Sequence, residues 1–216
     1  MLGRDLSPLL SEQYEVLTTD RDTLDITSEE SVAEFFVRFQ PDLVLNLAAY
    51  TNVDGAESDE ERARLINVEG VANLAHACRQ AGCWLLTIST DYVFDGQNSR
   101  GYVEDDPRAP LSAYGRTKAE GEEQAISIYP EKSIVVRTAW LYGRHGKNFV
   151  ETMLLLATQK PEIQVVSDQV GCPTSTVALS RHLRLLIEQI TRAEISESNN
   201  PQILHFVSTG RTSWYD

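Results

Sequence analysis

The stretch "CWLLTISTDYVFDG", residues 83–96, decides how this chain folds. Its first seven residues form a nearly continuous apolar run, the pattern of a strand buried on both faces of a parallel sheet. The run ends in Ser89, Thr90 and Asp91, and a loop rich in Asp, Gly and Pro follows as far as Leu111. Polar residues at the carboxyl end of such a strand lie where open α/β sheets hold their ligands.

Outward from this strand, short β-rich runs alternate with longer helical ones. The runs "YEVLTTD" (14–20), "DLVLNLAA" (42–49), "SIVVRTAWLYG" (133–143), "IQVVS" (163–167) and "ILHFVS" (203–208) read as strands. Between them, "TSEESVAEFFVRF" (27–39) opens with a capping box, Thr27 to Glu30, and sets Val32, Phe35, Phe36 and Phe39 at helical spacing. A second box, Ser58 to Glu61, predicts a long helix through Cys78, and the acidic "ESDEE" there complements a helix N-terminus. Further helices are expected within the stretch 110–124, from about 148 to 158 and from about 176 to 192, and "TSWYD" (212–216) reads as the start of another. This alternation predicts an α/β fold, a doubly wound parallel sheet with helices on both faces.

Composition narrows the function. The chain has 216 residues, with 19 Lys+Arg against 32 Asp+Glu and a formal charge of −13. No window concentrates basic residues as a phosphate-tracking surface requires, so neither nucleic acid nor an anionic membrane is an expected partner. No apolar run approaches a membrane span and the first residues do not read as a secretory signal, so a cytoplasmic address is expected. Cys78, Cys83 and Cys172 are odd in number and irregular in spacing, which predicts reduced, buried thiols. The four histidines fall in no metal-ligand spacing, and no metal is expected.

The segment "PLSAYGRTKAEGEEQ" (110–124) places Tyr114 and Lys118 one helical turn apart on a single face. A phenol with a pKa near 10 is a poor proton shuttle, but a neighbouring ammonium pulls that value down. Such a tyrosine can protonate a nascent alkoxide. By itself the spacing is common, and a solvated Tyr/Lys pair is the alternative. Its company matters more: Ser89, Thr90 and Asp91 offer groups to a carbonyl oxygen beside the tyrosine, and "NLAAY" ends the preceding strand in small residues that admit a ring or ribose.

The motifs "NLAAYTNVD", "NVEG", "STDYVFDG", "APLSAYGRTKAEGE", "RTAWLYG" and "DQVGCPT", in this order, resemble the extended short-chain dehydrogenase/reductases, and within them the dTDP-4-dehydrorhamnose reductase family. The resemblance covers essentially the whole chain. It implies a Rossmann-like NAD(P)-binding fold and reduction of the 4-keto group of dTDP-6-deoxy-L-lyxo-4-hexulose to dTDP-L-rhamnose for surface polysaccharide. Tyr114 would be the acid, Lys118 would lower its pKa and bind the nicotinamide ribose, and Thr90 would bond the reacting oxygen. Asn46, Ala48, Ala49 and Thr51 would line the cofactor, with Asp25 and Ile26 on its adenine side. Tyr92 and Trp140 would flank the sugar, and Asn148, Gln169 and Thr174 fall in segments that shape its pocket. Trp140 packed simply as core, Asn67 satisfying a buried backbone group and Arg137 in a structural ion pair are the alternatives left open at those positions.

Cofactor preference is partly readable. An acid after the second strand takes the ribose 2′-hydroxyl of NAD, whereas an Arg accommodates the 2′-phosphate of NADP. Asp20 and Arg21 supply both, so NADPH is expected, with NADH as the alternative. The partners expected are a nucleotide-sugar substrate and, at most, a second copy in a homodimer. Two other functions remain open: a non-catalytic nucleotide-sensing subunit like the β subunit of methionine adenosyltransferase, and another sugar-nucleotide epimerase or dehydratase.

The pattern departs from the family at both ends. "MLGRDL" matches only the close of the glycine-rich phosphate turn, with Gly3 in the place of its final glycine, and the chain stops at "TSWYD". Residues 1–138 are thus expected to form an incomplete dinucleotide-binding domain, and 139–216 an incomplete substrate portion interleaved with the last strands. A piece of a longer protein is expected rather than a short paralogue without dinucleotide binding, because strands flanking a lost central strand would be left unpaired.

Overall fold

The computed structural model describes residues 1–216. Along the chain run α1 (Leu2–Leu10), α2 (Glu29–Phe39), β1 (Leu43–Asn46), α3 (Val53–Ser58), α4 (Glu60–Arg64), a π-helical turn (Leu65–Glu69), α5 (Gly70–Ala81) and β2 (Trp84–Thr90). A 3₁₀ turn (Asp91–Val93), α6 (Ala113–Ile128), β3 (Ser133–Thr138), β4 (Leu141–Tyr142) and α7 (Phe149–Gln159) follow. The chain ends with β5 (Val170–Gly171), β6 (Thr174–Ser175), α8 (Thr176–Thr191), β7 (Ile203–His205) and β8 (Thr212–Ser213).

The apolar runs form the expected Rossmann-like sheet, in the order β1-β2-β3-β7. β1 pairs in parallel with β2, Leu43 opposite Trp84, and β3 in parallel with β7, Val135 opposite Ile203. All six residues of β3 are buried, which is why its sequence shows no polar alternation. Against the sheet, Val32 and Phe36 of α2, Val71, Leu74 and Cys78 of α5, and Ala125 of α6 close one core with Ile26 and Leu85. Each large side chain in it contributes about 1.5–3 kcal/mol by burial.

The chain divides into two compact units. One comprises Thr19–Arg137 and Ile195–His205 and holds the sheet. The other comprises Met1–Thr18, Thr138–Glu194 and Phe206–Asp216. In this second unit α1 packs on α8. Leu2, Leu6 and Leu10 recur every fourth residue on one helical stripe and are buried, as are Leu179, Leu183 and Leu186 of α8. The Thr176 hydroxyl donates to Asp5 at 2.5 Å, which ties the two helices at one end. β4 pairs with β6 and β5 with β8 as two short ladders.

Several local expectations are corrected. Residues 14–20 are irregular rather than a strand, and β1 pairs on one side only, with β2. β-propensity makes a strand only where a partner edge is available, and Leu17 is instead half exposed. Residues 163–167 form no ladder for the same reason. The cap of α2 is Ser28, which accepts from Ser31 N at 3.2 Å, while the Thr27 hydroxyl turns back to Asp25. Ser58 ends α3 instead of opening a long helix. Asn52 caps α3, Asp59 caps α4, and the π turn interrupts the run toward Cys78. The run 133–143 is broken between β3 and β4 by Trp140, whose φ of 48° no strand accommodates. The first two residues of "TSWYD" form β8, antiparallel to β5, rather than the start of a helix. Cys78 and Cys83 are buried, but Cys172 is only partly so and lies against the Gly210 carbonyl.

Candidate active site

The site is built where β2 ends. Thr90 closes the strand, buried, and its hydroxyl donates to Asp91 Oδ1 at 3.1 Å and accepts from Tyr92 N at 3.3 Å. The hydroxyl therefore caps the 3₁₀ turn that leads away from the sheet. Asp91 is pushed up from the usual carboxylate range by burial, against its bond from Thr90.

Tyr114 arrives on the first turn of α6. Ser112 caps that helix by accepting from Gly115 N at 3.0 Å, and Glu57 accepts from Ala113 N at 2.7 Å, so two of the free N–H groups at the helix start are satisfied. Gly115 then allows the close approach: a Cβ there would lie 2.2 Å from the Tyr92 carbonyl oxygen. Because that oxygen belongs to the turn holding Thr90, Gly115 is what brings the tyrosine helix against the strand end. Tyr92 and Tyr114 meet edge to face, with ring centroids 5.6 Å apart.

Lys118 lies one turn further along, buried, and its ammonium donates to the Ile88 carbonyl of β2 at 2.7 Å. Burial pulls it down to about 8, partly opposed by the Glu122 carboxylate. Tyr114 is pushed up to about 12 by burial, opposed by a hydrogen bond with Thr90. This corrects one expectation: the ammonium is not among the groups acting on the phenol, because it is turned to Ile88, so the desolvation of Tyr114 wins. At neutral pH the phenol is protonated, the state a proton donor needs.

The cofactor-side residues follow β1. Asn46 is buried, with its amide donating to Thr87 at 3.2 Å and its carbonyl accepting from Ala48 N at 3.0 Å. Ala48 and Thr51 are exposed and Ala49 partly so, leaving the chain after the strand open to a flat ligand. That segment is held by Asn67, which accepts from Tyr50 N at 2.8 Å and donates to Tyr50 O at 3.2 Å and Thr117 at 3.1 Å. Asn67 thus does satisfy a buried backbone pair, and by doing so links the cofactor-side segment to the tyrosine helix. Gly121 of the same helix lets it approach, since a Cβ there would lie 2.0 Å from the Asn67 carbonyl oxygen, and sequence reasoning left Asn67, Gly115 and Gly121 out of the site. Their only signal was small or amide residues at helix positions where nothing local demands them.

The remaining residues divide between the two units. Asp20 is exposed and its Oδ1 accepts from Asp22 N, Thr23 N and the Thr23 hydroxyl, which holds its carboxyl below the usual range. Arg21 is exposed beside it. Asp25 accepts from Thr27, and Ile26 is a core side chain whose carbonyl accepts from Asn73. Gly3 lies in the first turn of α1, in the second unit. There too, Trp140 stacks on Trp214 with centroids 3.6 Å apart, and Trp214 donates to Gln169 at 3.1 Å. Asn148 caps α7 and donates to the Gly143 carbonyl at 2.8 Å, and Thr174 is fully buried between Cys172 O and Ser208 N. Trp140 is therefore neither simple core nor isolated. It is the strained member of an aromatic pair, and a residue held at positive φ is commonly found at functional sites.

These residues fit the nicotinamide half of a dinucleotide. Lys118 has used one of its three donors, the Tyr114 phenol is alongside Thr90, and the residues after β1 carry no bulk. Arg137, by contrast, is committed to a structural pair, bidentate to Glu122 at 2.9 and 2.7 Å.

Comparison with known proteins agrees with this geometry. The whole chain, residues 1–216, matches the model for the RmlD substrate binding domain. It is 42% identical to a dTDP-4-dehydrorhamnose reductase of Aggregatibacter actinomycetemcomitans, over 100% of this chain and 72% of that protein. It is 41% identical to a dTDP-4-keto-6-deoxy-D-glucose reductase of Streptomyces niveus, again over 100% of this chain and 72% of the relative. A dTDP-4-dehydrorhamnose reductase of Bacillus anthracis solved in complex with NADP superposes with a TM-score of 0.90 at 37% identity, over 99% of this chain and 73% of that one.

Proposed function

We propose, on the premise that this chain belongs to the RmlD substrate binding domain family, that it is an NADPH-dependent reductase of the 4-keto group of a dTDP-linked 6-deoxyhexulose. The reaction assigned is reduction of dTDP-6-deoxy-L-lyxo-4-hexulose to dTDP-L-rhamnose, a cytoplasmic step in surface polysaccharide synthesis. The observation that carries it is the convergence of the Tyr114 phenol, the Thr90 hydroxyl and the Lys118 ammonium on the carboxyl end of β2.

When bound, NADPH supplies the hydride for the ketone carbon. Tyr114 holds the proton for the oxygen, and its value near 12 keeps that proton in place until an alkoxide develops. Thr90 bonds the same oxygen and orients it. Lys118 would give a remaining donor to the ribose of the bound cofactor. Asn46, Ala48, Ala49 and Thr51 position the nicotinamide end, while Asp20, Arg21, Asp25 and Ile26 are assigned to the adenosine end and Gly3 to the pyrophosphate. Within Thr19–Arg137, the unit with the sheet, lie the residues assigned to most of the dinucleotide, and Thr138–Glu194 is assigned to the sugar nucleotide, with Tyr92, Trp140, Asn148, Gln169 and Thr174 on the sugar side.

The test is NADPH consumption with the purified chain and dTDP-4-dehydrorhamnose, with the product identified by NMR. Tyr114→Phe should lower kcat by about 10²–10⁴-fold with substrate affinity little changed. Turnover near wild type in that variant would overturn the assignment. A product with the configuration of a reduced dTDP-4-keto-6-deoxy-D-glucose would keep the chemistry and change the sugar, as the Streptomyces niveus relative's name allows.

A further inference from the structure

Two cations and one carboxylate lie buried behind the site. Glu122 is 2% exposed and sits one helical turn beyond Lys118, on the same face of α6. Arg137, 3% exposed, meets it bidentately from β3, and its third nitrogen lies 3.3 Å from Glu104 O and 3.2 Å from His205 Nε2. Burying three charges is costly, and this set contributes little that an apolar cluster of equal volume would not. Something other than stability is needed to explain an anion at this position.

Lys118 and Glu122 line one small cleft with Asn67, Thr87, Ile88 and Ser89. The other charges near α6 are engaged elsewhere. Asp91, on the 3₁₀ turn, faces the Tyr114 phenol, and Glu57 of α3 accepts from Ala113 N. Glu60 and Arg64 of α4 pair with Arg116 and Glu120 at the surface. Glu69 on the π turn and His76 and Arg79 on α5 are not among the groups acting on Lys118, and Arg108 lies 3.6 Å from Glu122 on its outer side.

We propose that Glu122, clamped by Arg137, is a positioning residue for the reductase: its buried carboxylate, one helical turn from Lys118 on the same face, keeps the ammonium charged for catalysis. The inference rests on the proposed reductase function for its purpose but not for its test. Glu122 is the one charge that raises the Lys118 value against burial. Its removal is therefore expected to lower the Lys118 value further.

The experiment is a ¹³C NMR titration of lysine Cε in the cofactor-free full chain, with the Lys118 signal assigned by its loss in Lys118→Met. Its midpoint should lie near 8 in the wild type. Glu122→Gln should lower it by about 1–2 units. The double variant Glu122→Gln/Arg137→Met should lower it as well, and because it removes the buried pair together it leaves no unpaired buried charge if the single variant is insoluble. The basic limb of kcat/KM should move down in parallel. A midpoint unchanged in whichever variant is soluble overturns the proposal. A shifted midpoint in a chain with no wild-type reductase turnover would uphold the electrostatic coupling and overturn the function instead.

Discussion

Replacing Gly115 by alanine tests the idea that one missing side chain sets the catalytic distance. The new Cβ would sit 2.2 Å from the Tyr92 carbonyl oxygen and 3.1 Å from Pro110 Cβ, and the first of these contacts lies between two backbone segments that cannot rotate away. Either the Asp91–Val93 turn or the first turn of α6 must retreat by roughly 1 Å, a displacement that typically costs about 10²-fold when it separates catalytic groups. Overpacking costs about 1–3 kcal/mol, and alanine's better helix propensity returns up to about 1 kcal/mol. The variant should therefore fold, with a melting temperature lower by only a few degrees, while kcat falls about 100-fold and KM for the sugar nucleotide changes little. Thermal unfolding beside steady-state NADPH consumption measures both. A folded Gly115→Ala protein with kcat within threefold of wild type would refute the reasoning, because Thr90 and Tyr114 would then not depend on that approach.

Lys118→Met should abolish turnover yet stabilise the fold. Burial holds Lys118 at about 8 against its ordinary 10.5, so the native state binds fewer protons than the unfolded chain between those values. The penalty is fully present below about pH 8 and is relieved as pH rises toward 10.5. It amounts to about 3 kcal/mol, less about 1 kcal/mol for the lost bond to Ile88. Urea unfolding at pH 7 checks it, and a destabilised variant would contradict the sign. Arg21→Ala should weaken NADPH binding about tenfold while leaving NADH unchanged, as read by calorimetry, and an unaltered ratio of the two affinities would remove Arg21 from the 2′-phosphate role.

The strands were legible where they are buried on both faces. Residues 84–90 and 133–138 have no polar alternation to confuse them, and their neighbours lie in the sheet. Residues 14–20 and 163–167 carry the same β-rich composition and form no strand, because pairing is a property of two segments and composition describes only one. The helix caps slipped by one residue, from Thr27 to Ser28 and from Ser58 to Asp59, since each stretch offers adjacent side chains equally able to accept a backbone N–H. Trp140 interrupting its run was invisible, because nothing in "RTAWLYG" marks a positive φ.

For the site, the sequence alone determined which chemistry is present. A helix places residues four apart on one face, so Tyr114 and Lys118 share a face, and an apolar strand ending in Ser89-Thr90-Asp91 puts those polar groups at its carboxyl end. Protonation and distance were decided only by the tertiary structure. Burial from three sides put Tyr114 near 12 and Lys118 near 8, turned the ammonium to Ile88, and placed Glu122 and Arg137 behind it. Spacing along a chain sets which groups share a face. How far each is withdrawn from water, and which charge stands next to it, depends on segments far away in sequence, and those terms set the pKa values.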